Sequence, residues 1–337
     1  MRIPRRREVP MSPRPVLRAN PNTLSDREAM GLPDDLVERV AELPLAGHDD
    51  LLARAPGELA VLAEDAGQPF DRRYAAGTLL GLRGDPRIRF DDPAMVEVPA
   101  ATVRLGLAPE DVGEVVRRWE HVGVLHSWIA KETPVHEARI ERFRVMRYPV
   151  TNHEYRRFLV ETGHPVLPRA WRFGAYPHHL SNHPVWTVSP EEAEAYARWL
   201  GERTGRPFRL LTEAEWEYAA GGGDGRTFPW GDEIGADHAN TVEHGPLSTT
   251  PVGIYPAGAS PFGVLDMAGN VEEFVADDYR PYPGGEHVLD DLADGGRYRV
   301  ARGGSFTRFG DLARCRRRHG WYSREIYAMG FRLGESV

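Results

Sequence analysis

Thiols are almost absent from this chain. Its 337 residues include one cysteine, Cys315, so no intrachain disulfide can form. Long apolar runs are missing as well: no stretch approaches the roughly 18 apolar residues that a membrane span needs. Net positive charge is also lacking. Lys+Arg 42 against Asp+Glu 50 leave −8, which argues against non-specific nucleic-acid binding, where positive surface must displace counterions. Only the first 18 residues run the other way, with six arginines and four prolines. No apolar segment comes after them, so they are not a signal peptide; residues 1–33 read as a solvated, disordered basic tail. The expectation is a soluble, cytoplasmic protein.

What is present suits a globular chain. Hydrophobic residues make up 41% and charged residues 27%, enough for a real core, and the length allows two domains at roughly 100–200 residues each. Gly 35 and Pro 28 fall mostly in the second half, which predicts a loop-rich fold there. Residues 34–44, 48–66 and 72–82 carry helical spacing with acidic first turns, and Gly84 and Pro86 supply a stop. Residues 34–91 therefore read as a small helical adaptor, a HEAT-like pair packed on the domain formed by residues 92–337. Met95–Leu107 alternates and reads as a strand pair, with a helix next over 110–120 and a strand over 137–146. Thr151 or Asn152 caps a helix over 155–161. Ser189-Pro190-Glu191-Glu192 and Thr212-Glu213-Ala214-Glu215 have capping-box spacing and open two more helices. Short strands are predicted at 298–302 and 329–333.

A series of motifs runs through residues 92–337. Tyr148-Pro149-Val150-Thr151-Asn152 and His183-Pro184-Val185 come first, then Leu210-Leu211-Thr212-Glu213-Ala214-Glu215-Trp216-Glu217-Tyr218-Ala219. Phe228-Pro229-Trp230-Gly231, Gly269-Asn270-Val271-Glu272-Glu273, Arg302-Gly303-Gly304-Ser305-Phe306 and Gly330-Phe331-Arg332-Leu333 complete the series. Each alone is weak; in this order they resemble the formylglycine-generating-enzyme and sulfatase-modifying-factor family. The resemblance implies an α+β fold of C-type-lectin-like, sulfatase-modifying-factor type, here behind a small N-terminal helical domain. It also implies bound calcium. By the match Asp266 and Glu273 would offer carboxylate oxygens, and Gly269 and Val271 main-chain carbonyls, the hard ligands that Ca²⁺ prefers. The residues by themselves equally allow an acidic turn closed by Asx hydrogen bonds. Asn240 and Thr241 match the other calcium loop, whose acidic stretch is shortened to Glu243 and His244.

The family's copper oxidases carry cysteines three and eight residues after the motif serine. Here Arg308 and Ala313 stand at those places after Ser305, and neither offers the thiolate that Cu(I) needs. Formylglycine generation by that route is therefore excluded. The family's iron sulfoxide synthases draw histidines from an N-terminal H-x-x-x-H-x-E helix, and residues 1–91 hold only His48. Two other clusters remain. His178 and His183 share one loop and are candidates for a redox metal, Fe or Cu, although unligated loop histidines are commoner. Arg308, Arg314, Arg316, Arg317, Arg318, His319 and Trp321 border the family's substrate cleft. Ser305, Arg308, Phe309, Arg318 and Trp321 are the candidate substrate contacts, for an anionic ligand held by arginine beside an aromatic wall. Alternatively these arginines pair with the domain's own acids, Arg308 with Asp311 for example. The favoured function is a tailoring oxidoreductase on a small amino-acid-derived substrate. The alternative is a non-catalytic, calcium-stabilised binding module.

Overall fold

A computed structural model describes residues 17, 19–32, 45, 47–289, 298–320, 324 and 326–337. The helix predicted over 34–44 lies outside the described residues, as do Trp321 and Tyr322. The described helices are α1 Asp26–Ala29, α2 Pro56–Ala63, α3 Phe70–Arg83, α4 Val112–Trp119, α5 His126–Ala130, α6 Asn152–Thr162, α7 Pro190–Thr204 and α8 Glu213–Gly221. The three predicted caps are present: Thr151, Ser189 and Thr212 each accept the N–H three residues on, and Glu154, Glu192 and Glu215 reach back to the cap.

The strands are β1 Met95–Val98, β2 Ala101–Leu105, β3 His136–Ile140, β4 Phe143–Met146, β5 Phe208–Leu210, β6 Glu272–Asp278, β7 Arg299–Arg302, β8 His319–Gly320, β9 Met329–Gly330 and β10 Leu333–Ser336. They form one sheet ordered β1-β4-β10-β5, the pair β2-β3, and a second sheet ordered β8-β7-β6-β9. The strands predicted within 95–107 do not pair with each other. β1 runs antiparallel to β4 and β2 antiparallel to β3. Pro99, with no N–H to give a ladder, stands between them. The strand predicted over 137–146 likewise divides between two sheets at Glu141 and Arg142.

Apolar residues spaced along α3, namely Ala75, Ala76, Leu79 and Leu80, pack with Leu59 and Ala63 of α2 and with Ile254 and Tyr255 of the larger domain. Gly77 lets this helix approach closely, since a Cβ there would stand 2.7 Å from Pro251. Buried Arg73 donates to the Ile254 carbonyl at 3.0 Å and to Asp237 at 2.9 Å. The α2–α3 pair is thus docked through buried apolar contacts as well as polar ones. Truncating Leu59 or Leu80 to alanine costs about 2–5 kcal/mol by cavity formation.

Residues 19–32 depart from the expected solvated tail. Ser25 and Glu28 close a capping box around α1, and Ala29 is buried with Phe274, Ala301, Ile326, Tyr327 and Met329. Arg324 clamps the segment, donating to the carbonyls of Pro21, Asn22 and Leu24 and to Asp26. Five arginines of the first 18 lie before residue 17, and their charge hid the amphipathic stretch behind them.

Candidate functional site

β7 feeds directly into the Gly303-Gly304-Ser305 turn. Both glycines have left-handed φ, 96° and 68°, and a Cβ on Gly304 would lie 2.9 Å from the Ala313 backbone. Ser305 is not turned toward a ligand: its buried hydroxyl lies 2.9 Å from that of Thr307, which donates to the Ile326 carbonyl. The turn is therefore rigid, and Arg308 comes after it with its carbonyl accepting the Val242 N–H at 3.0 Å.

The Arg308 side chain is 3% exposed. Its Nε and Nη1 are buried without a hydrogen-bond partner among the described residues. Its Cζ lies 5.3 Å from the centre of the Tyr327 ring. Asp311, weighed as its internal partner, faces Arg317 instead at 3.6 Å. A guanidinium buried with bare N–H groups is costly, and an arriving carboxylate relieves that cost. The Tyr327 ring also meets His319, ring centre to ring centre 4.7 Å, and His319 Nδ1 lies 2.6 Å from Glu272. Glu272 and Tyr327 were not singled out from the sequence, because nothing local connects them to Arg308.

The other candidate contacts fall elsewhere. Phe309 is core, packed with Trp119, Phe228 and Ala313 in one hydrophobic cluster. The place of the second cysteine is therefore walled in by the segment from Leu107 to Ile129. Arg318 donates to Glu213 through Nε and Nη2, at 2.8 and 2.7 Å, and stacks 4.0 Å over Tyr282. Arg314 forks onto Glu132 at 2.8 and 2.5 Å. Arg314 and Arg318 are thus paired internally, with Glu132 and Glu213. Cys315 is buried, and burial pushes its thiol up to about 12.

The metal expectations meet the same test. Around Glu273 the positive charge is already supplied: Arg332 donates to its two oxygens at 2.7 and 2.6 Å, and Trp216 Nε1 at 2.8 Å. Arg332 also donates to the carbonyls of Leu265 and Asp266, each at 3.0 Å. Asp266 accepts the Gly253 N–H at 2.6 Å, and burial pushes its carboxyl up to about 6. The set Asp266, Gly269, Val271 and Glu273 does not fit an ion while a guanidinium holds Glu273. The other loop fits better. Asn240 Oδ1 is buried without a hydrogen-bond partner, and Glu243, its Gly310 contact aside, faces the Thr241 hydroxyl; these are the hard oxygens that calcium takes. The Thr241 carbonyl is not among them, since it accepts the N–H groups of His244 and Gly245.

His178 and His183 are not brought together. His183 is buried on Thr249 Oγ1 at 3.0 Å, and burial lowers it to about 3. His178 is exposed, edge-on to Tyr176. Among the described residues no group of three His, Cys, Asp or Glu could hold a metal ion, so these residues do not fit Fe or Cu. No described helix is long and apolar enough to cross a membrane.

Mixed helices and short sheets, a glycine turn at the head of the site and no thiol beside it define an α+β domain of sulfatase-modifying-factor type. The family model for the sulfatase-modifying factor enzyme 1-like domain matches residues 84–336, and the chain belongs to that family. It is 35% identical over 243 residues to the hercynine oxygenase of Mycobacterium tuberculosis, covering 61% of this chain and 55% of the relative. To the formylglycine-generating enzyme of Streptomyces coelicolor it is 36% identical over 233 residues, 52% of this chain and 71% of the relative. The solved structure of PvdO from Pseudomonas aeruginosa superposes with a TM-score of 0.58 at 28% identity, covering 73% of this chain and 95% of that one. The chain spans about half the length of the hercynine oxygenases it matches.

Proposed function

We propose that this domain binds the carboxylate of a small amino-acid-derived substrate and serves a tailoring oxidoreductase of the hercynine-oxygenase kind. The observation that carries the reading is Arg308: a buried guanidinium with two nitrogens lacking partners, on a rigid turn, where the family's copper oxidases carry a thiol. Arg308 would orient the substrate by its carboxylate, and the dry surroundings strengthen that contact. Similarity to hercynine oxygenases makes hercynine, a histidine betaine, the first substrate to try. The described residues gather no donors for a redox metal, so no step is routed through one. Calcium, held by Asn240, Thr241 and Glu243, would stiffen the loop whose Val242 N–H binds the Arg308 carbonyl. A single buried thiol and no disulfide suit a reducing compartment, and we place the protein in the cytoplasm.

Calorimetric titration tests the reading. Hercynine should bind the wild-type protein, its decarboxylated counterpart should bind far more weakly, and Arg308→Lys should recover only part of what Arg308→Ala loses, because lysine lacks the fork. Equal affinity for the two molecules, or an Arg308→Ala variant that binds like wild type, would sink it. Oxygen uptake in the presence of the bound molecule separates turnover from binding alone.

A further inference from the structure

The Arg308 site has a second polar group against the same aromatic ring. We propose that His319 is a further ligand-contacting residue there, presenting its Nε2 as an acceptor to an N–H or O–H of the molecule whose carboxylate meets Arg308. The proposal rests on the reading of Arg308 above and adds the contact that fixes the ligand's orientation.

Glu272 decides which nitrogen is available. Its carboxylate is fully buried and lies 2.6 Å from His319 Nδ1. With Glu272 as the acceptor, Nδ1 carries the proton and Nε2 keeps the lone pair. Burial holds the ring's pKa down against the pull of Glu272, which favours the neutral imidazole that such an acceptor requires. Nε2 itself has no hydrogen-bond partner among the described residues.

The strands hold this arrangement rigidly. His319 pairs with Ala301 across β8 and β7, one strand from Glu272 on β6. The Glu272 N–H donates to the Ala328 carbonyl at 2.9 Å, so the residue after Tyr327 is tied to the residue that orients His319. Side chains placed by strands keep their geometry better than those on free loops. Arg308 Cζ and the His319 ring centre lie 5.3 and 4.7 Å from the same Tyr327 ring centre. They are therefore no more than about 10 Å apart, which suits a molecule of amino-acid size with a carboxylate at one end and a donor at the other.

Proton-detected NMR of the full chain, labelled with ¹⁵N-histidine and titrated with hercynine, tests this. The His319 signals are assigned by their loss in His319→Asn. The Nε2 resonance should move as it accepts a hydrogen bond while Nδ1 stays, a change that a purely structural His–Glu pair would not show. His319→Asn, whose amide stands at the place of Nδ1 and still donates to Glu272, should keep the wild-type melting temperature and bind hercynine about tenfold more weakly, the worth of one hydrogen bond. If Arg308→Ala weakens binding but Nε2 stays still and His319→Asn binds like wild type, His319 is structural and this proposal falls alone. If neither variant loses affinity, the Arg308 reading fails and takes this one with it.

Discussion

Replacing Arg308 by methionine should stabilise the free protein and weaken its ligand binding. The side chain is almost wholly buried and two of its nitrogens lack partners. Each unsatisfied buried donor costs about 1–3 kcal/mol, and a methionine of similar length removes both. Against that gain stands the contact with the Tyr327 ring at 5.3 Å, worth about 0.5–2 kcal/mol. The balance is a gain of about 1.5–4 kcal/mol, or roughly 2–6 °C in melting temperature for a chain of this size. Binding of hercynine should meanwhile fall by about 1.5–3 kcal/mol, the range for a charge-assisted hydrogen bond. Urea denaturation gives the first quantity and calorimetric titration the second. A less stable Arg308→Met protein with unchanged affinity would refute the reasoning, because it would make Arg308 an internal strut.

Three other outcomes are expected. Chelator should lower the melting temperature of the wild-type protein, Asn240→Ala should abolish that difference, and Glu273→Gln should cost about 3–5 kcal/mol with or without calcium by stranding Arg332; a melting curve indifferent to chelator would remove calcium from the Asn240 loop. Asp266, raised from its ordinary 3.8 to about 6, binds its proton more tightly folded than unfolded. Its contribution is therefore intact below pH 4 and lost as pH rises through 6. Asp266→Asn should stabilise by up to about 3 kcal/mol at pH 8 and little at pH 4, and an equal effect at both pH values in urea titrations would contradict this. Incubated with copper and a Cys-x-Pro-x-Arg peptide, the protein should yield no aldehyde by mass spectrometry, since Arg308 and Ala313 offer no thiolate and Cys315 is buried with its thiol pushed up to about 12; aldehyde would overturn the account of the site.

The parts of this protein that sequence alone determined are those whose signals lie within a few residues. The capping boxes at Thr151, Ser189 and Thr212 are four-residue devices. The order of motifs marked the family, and the absence of cysteine at 308 and 313 was visible without coordinates. Tertiary structure decided everything that depends on partners far apart in the chain. Arg314 meets Glu132 across 182 positions, and Arg318 meets Glu213 across 105. Nothing near those arginines distinguished them from Arg308, which stands bare because Asp311 faces Arg317. The same holds for calcium: Glu273 has the right residue type in the right loop, yet Arg332, 59 residues on, holds it. Side-chain type and local spacing say what a residue can bind. Which partner it meets is set by how the sheets bring distant segments together, and burial then makes that choice costly to change.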